Sequence, residues 1–64
     1  MKITNLVSDM TQILNEVSEE ADKFEIKGNN AAGARVRKAM QQVKNMAQEI
    51  RLEVSAIKNE RKGK

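Results

Sequence analysis

Sixty-four residues make one small domain at most, and a core of that size is marginal on its own. Without Cys or His the chain has no disulfide and no thiolate or imidazole metal ligand, and without Pro and with three Gly it has little to interrupt a helix. The net charge of +3 is unevenly spread: residues 1–27 hold three Lys against six acids, and residues 28–64 hold nine Lys or Arg against three Glu. That asymmetry points to a polyanionic partner for the second half.

No apolar run approaches the roughly 18 residues of a membrane span, and no signal-peptide core is present. The expected location is therefore the cytoplasm, away from any membrane. Met1 to Ile3 is a short lead-in, with Thr4 or Asn5 as a plausible N-cap. From there Ile3, Val7, Met10, Leu14, Val17, Ala21 and Phe24 repeat at four and three, the a/d seam of a coiled coil. The spacing predicts a helix over about 4–27. Lys27-Gly28-Asn29-Asn30 then has the chemistry of a break: Gly28 suits a left-handed C-terminal position, and Asn29 or Asn30 suits the next N-cap.

A second helix is predicted over about 30–60, with a seam of Gly33, Val36, Met40, Val43, Ala47, Ile50, Val54 and Ile57. A turn confined to 28–29 makes the two helices antiparallel neighbours. The fold class is all-α, an antiparallel two-helix coiled-coil hairpin forming a single domain over 1–64, with a basic tail at 61–64 that frays. Facing residues whose numbers sum to 57 place Phe24 on Gly33 and pair large with small along the seam. This also accounts for a Gly inside a helix, which otherwise costs ~1 kcal/mol relative to Ala.

Beside the second seam runs a cationic line, Arg37, Lys44, Arg51 and Lys58, seven residues apart. Its surface neighbours, four residues on, are Gln41, Gln48, Ser55 and Lys62, so this face carries no acid. Across the hairpin the line meets Thr4, Thr11, Ser18 and Glu25, and only Glu25 is placed to pair with it, at Arg37. The other edge is apolar through Leu6, Ile13, Ala39 and Met46, interrupted by Glu20 and Glu53. Leftover apolar surface of this kind marks association. A homodimer of hairpins, giving four helices, is expected to bury those four residues.

The run Lys27-Gly28-Asn29-Asn30-Ala31-Ala32-Gly33-Ala34-Arg35-Val36-Arg37-Lys38, followed by Gln-Glu-Ile-Arg at 48–51, resembles the N-terminal part of the chlamydial histone-like nucleoid proteins and short bacterial relatives similar to linker histones. In that family a G-N-x-A-A-x-x-R-x-R segment opens the second helix. The resemblance covers roughly residues 25–58. It implies DNA binding and nucleoid organisation without catalysis, and Asn29, Ala31, Ala32, Arg35 and Arg37 fall on its pattern. The chlamydial members continue into a long Lys/Ala-rich tail that these residues do not contain, so only the helical module carries over.

The residues support the same reading independently. Asn29 to Ala32 present the N–H groups of a helix start with small side chains beside them, and Arg35, Arg37 and Lys38 follow within two turns. From Arg37 to Lys58 is roughly 31 Å of helix, close to the ~34 Å of one DNA turn. The expected contacts with double-stranded DNA are Asn29, Arg35, Arg37, Lys38, Gln41, Lys44, Gln48, Arg51, Lys58 and Lys62, reaching phosphates without reading sequence. Phe24 is assigned to the core, so stacking on single strands is not expected. There is no P-loop or dinucleotide glycine pattern, and no enzyme, cofactor, metal site or small-molecule substrate is expected. Glu16, Glu19, Glu20 and Asp22 read as a solvated face pairing with Lys23, and Met10, Met40 and Met46 as core packing. The alternative function is a coiled-coil adaptor that docks an acidic or helical protein partner.

Overall fold

The computed structural model describes residues 1–62, the side chain of Lys62 excepted. Two helices make up the fold: α1, Lys2–Lys27, and α2, Asn30–Lys62, packed antiparallel against each other. There is no strand among the described residues. Gly63 and Lys64, the end of the tail expected to fray, lie outside those residues, whereas Arg61 and Lys62 continue α2.

α1 starts earlier than Thr4 or Asn5 as caps would allow. Met1 stands at the N-cap without a side-chain hydrogen bond, and the Asn5 N–H closes the first turn on the Met1 carbonyl at 3.0 Å. The extra turn includes Ile3, which is half-buried, and packing of an apolar face contributes more to a helix in a protein than local preference does. At the other end Gly28 takes the left-handed conformation, φ 69 and ψ 25. Its N–H donates to the Phe24 carbonyl and that of Asn29 to the Lys23 carbonyl, each at 3.1 Å, so the last carbonyls of α1 find donors. Asn29 then opens α2, its Oδ1 accepting the Ala32 N–H at 3.2 Å.

The tip of the hairpin has the expected layer. The Phe24 ring lies on Gly33, so close that a Cβ at Gly33 would stand 2.6 Å from Cδ1 of the ring. Along the rest of the hairpin the contact stripe is turned from the expected seam. The covered positions of α1 include Ile3, Leu6, Met10, Ile13, Val17 and Glu20, and those of α2 include Val36, Ala39, Val43, Met46, Ile50 and Ile57. Leu6, Ile13, Ala39 and Met46, expected at a subunit contact, are thus half-buried and close the hairpin itself. Ala32, at the head of that same edge of α2, is fully buried.

The turn leaves the opposite edge uncovered. Val7 is 49% exposed, Leu14 45%, Phe24 46%, Met40 40% and Val54 40%. The molecule is a thin rod of 55 × 15 × 12 Å, with a radius of gyration of 15.8 Å against about 11 Å for a compact domain of this length.

Candidate nucleic-acid interface

The seven-residue spacing of Arg37, Lys44, Arg51 and Lys58 is nearly two helical turns, so α2 lines them up along one edge. All four are exposed, and none of them has an ion pair among the described residues. Gln41, Gln48 and Ser55 are exposed beside them. Shallow surface grooves run along this edge, one lined by Lys44, Asn45, Ala47, Gln48 and Arg51 and another by Ser55, Lys58, Asn59 and Arg61. Along these grooves the accessible donors belong to cations and amides, the chemistry that meets phosphate oxygens.

Arg35 sits apart from this line. Its Nη1 donates to Glu20 Oε2 at 2.9 Å, bridging α2 to α1 on the opposite edge, and Lys23 Nζ approaches the same carboxylate at 3.7 Å. The hydrogen bond from Arg35 is the main cause holding the Glu20 carboxyl below the usual carboxylate range, against a smaller upward push from desolvation. The pairing expected between Glu25 and Arg37 is not formed; the clasp between the helices is Glu20 with Arg35. Of the acids expected to pair with Lys23, it is Glu20 that does so.

Asn29 is engaged as the cap of α2, which occupies its side-chain oxygen and leaves the N–H groups of Asn30 and Ala31 as the first of the helix. Lys38 is exposed, one position along the chain from Arg37. The side chain of Lys62 lies outside the described residues. The structure therefore gathers Arg37, Gln41, Lys44, Gln48, Arg51 and Lys58 on one edge, and separates Arg35 and Asn29 from it by giving each an internal partner.

One feature was not visible in the sequence. Phe24, placed in the core by its periodicity, forms one wall of an open apolar notch of about 580 Å³ with Asn30, Gly33, Ala34, Val36 and Arg37. The signal available was its position: it is the last apolar residue of the α1 seam and faces a Gly, so nothing larger lies above the ring. Among the described residues no group of His, Cys, Asp or Glu is arranged to hold a metal ion, and no helix is long and apolar enough to cross a membrane.

The architecture is that of a small helical hairpin with a one-sided basic edge on its longer helix. Residues 4–60 match the family model of the histone H1-like protein Hc1, and the chain belongs to that family. No curated protein and no solved structure matches the chain significantly.

Proposed function

We propose that this hairpin is a nucleoid-associated module that binds double-stranded DNA without sequence preference, through phosphate contacts along the basic edge of α2. The observation that carries the reading is the unpaired state of Arg37, Lys44, Arg51 and Lys58 on an acid-free edge, in a chain of a histone H1-like family. An intramolecular salt-bridge role would require acids within reach of these cations, and none of the four forms an ion pair among the described residues. Arg35 contributes less than the sequence motif suggests, because Glu20 already holds its guanidinium. Lys58 lies roughly 31 Å along the helix from Arg37, so the two ends of the line contact separate backbone segments of one DNA turn. Nothing on the edge is placed to read base edges in a fixed register.

Electrophoretic shift of several unrelated duplexes at low and moderate salt tests this. Comparable affinity for all of them, weakening steeply with salt, is the expected result. The exposed notch at Phe24 favours a second reading, an adaptor that docks a protein partner. Absence of any shift at low salt would remove the DNA reading and leave that one.

A further inference from the structure

Phe24 is the only aromatic residue of the chain, and it is 46% exposed. It walls the open notch of about 580 Å³ together with Gly33, Ala34 and Val36, while Asn30 and Arg37 bring polar groups to it. We propose that this notch accepts an unpaired nucleobase stacked on Phe24, with Arg37 holding a phosphate of the same strand. The protein then favours nucleic acid with unpaired bases, at overhangs, bulges or frayed ends, over the closed interior of a duplex. The base contact rests on the phosphate-binding reading of the α2 edge and extends that edge at its head. Periodicity assigned Phe24 to the core, and its exposure removes the ground on which stacking was not expected.

The placement of the notch supports this ligand. Asn30 stands seven residues before Arg37, as Arg37 does before Lys44, so the notch continues the cationic line by one step. That step is roughly 10 Å of helix, so a strand whose phosphates follow the line brings its next nucleotides to Phe24. Gly33 makes the platform possible. A Cβ there would stand 2.6 Å from Cδ1 and 2.7 Å from Cε1 of the ring, so a glycine lets the ring sit this close to α2. The rest of the ring stays open to the notch.

The chemistry favours a nucleotide over an apolar protein segment. A nucleotide carries a flat face and a phosphate in one unit, matching a ring and a guanidinium that line one notch. An apolar side chain would cover the ring and leave Arg37 without an anion, and this chain gives Arg37 none among the described residues. A base inside an intact duplex is already stacked on both sides, and extruding it costs about as much as one aromatic contact returns. A base that is already unpaired carries no such cost.

A pair of oligonucleotides of equal charge tests this. Each is the same duplex with a short overhang, thymines in one and abasic sugars in the other, so only the bases differ. The unaltered protein should bind the thymine form about tenfold more tightly. That ratio should hold from low to moderate salt, since stacking releases no counterions. Phe24→Leu keeps an apolar side chain over Gly33 and should make the two affinities alike; a ratio that survives it overturns the proposal. Equal affinities for the unaltered protein also overturn it, leaving the phosphate reading standing and the notch to a protein partner. Binding of neither form at low salt overturns the phosphate reading and the base contact with it. A further measurement needs no variant. With isotope-labelled phenylalanine, the NMR spectrum carries ring signals from Phe24 alone. They should move upfield on addition of the thymine form and not of the abasic form. Ring signals that respond alike to both overturn the stacking.

Discussion

The two edges of the hairpin are built from similar inventories and end up in opposite states. On one, Arg35, Glu20 and Lys23 form a closed cluster, and apolar side chains such as Ile13 and Ala39 are half-buried between the helices. On the other, Arg37, Lys44, Arg51 and Lys58 have no ion pair among the described residues, and Val7, Leu14 and Met40 keep 40–49% of their surface exposed. The difference comes from one acid. Glu20 lies where Arg35 can reach it, whereas no acid among the described residues comes within ion-pair distance of the cationic line. A charge is structural where its neighbour answers it and available for a partner where none does.

The strongest way to break this comparison is to reverse the open edge. Arg37→Glu, Lys44→Glu and Arg51→Glu together should abolish duplex binding and leave helicity by circular dichroism intact, because these sites flank the contact stripe without filling it. Lys2→Glu, Lys23→Glu and Lys27→Glu change net charge equally and should cost far less binding. Equal losses would mean that only overall charge matters.

A smaller effect is expected at the tip the two edges share. Gly33→Leu places carbon where the Phe24 ring lies, and should destabilise the hairpin by ~1–3 kcal/mol in thermal or urea melts. A higher melting temperature would mean that helix propensity outweighs that contact. Asn29→Ala removes the cap on the Ala32 N–H and should cost ~1 kcal/mol in the same melts, with no cost expected if water replaces the side chain fully.

The smallest effect belongs to the closed edge. The Glu20 carboxyl is held below its ordinary range, chiefly by the hydrogen bond from Arg35, so the clasp contributes fully above the ordinary carboxylate pKa. It is lost as pH falls through the depressed value. Melting curves of the unaltered protein and Glu20→Gln should therefore differ slightly at neutral pH and converge in acid; a constant gap across that range would contradict the assignment. The difference should be small, since both partners are in contact with water.

Much of this was legible in the sequence. Two uninterrupted apolar periods, Gly28 at the break, the Asn29 cap and Phe24 over Gly33 follow from spacing and turn chemistry alone. The rotation of the contact stripe was not legible, because each helix has apolar residues at three adjacent wheel positions and a two-helix contact covers little more than two. Val7, Leu6 and Ile3 are equivalent by pattern. What separates them is the burial of Ala32 at the head of that edge, together with the Glu20–Arg35 clasp beside it, and both depend on the two helices being placed together. For the same reason the motif residue Arg35 read as a phosphate contact, although its nearest acid is fifteen residues back in the chain and only folding brings the two together.

The central claim is that the open edge of α2 is itself the phosphate-binding surface, and counterion release measures it most directly. With about four to six phosphates engaged, the logarithm of affinity should fall against the logarithm of salt with a slope near −4 to −5. Replacing Arg37, Lys44 and Arg51 by Gln together should make that slope shallower by about 3, close to 0.9 for each contact removed. A slope unchanged by the triple replacement would contradict the account, because the cations engaging DNA would then lie elsewhere on the molecule.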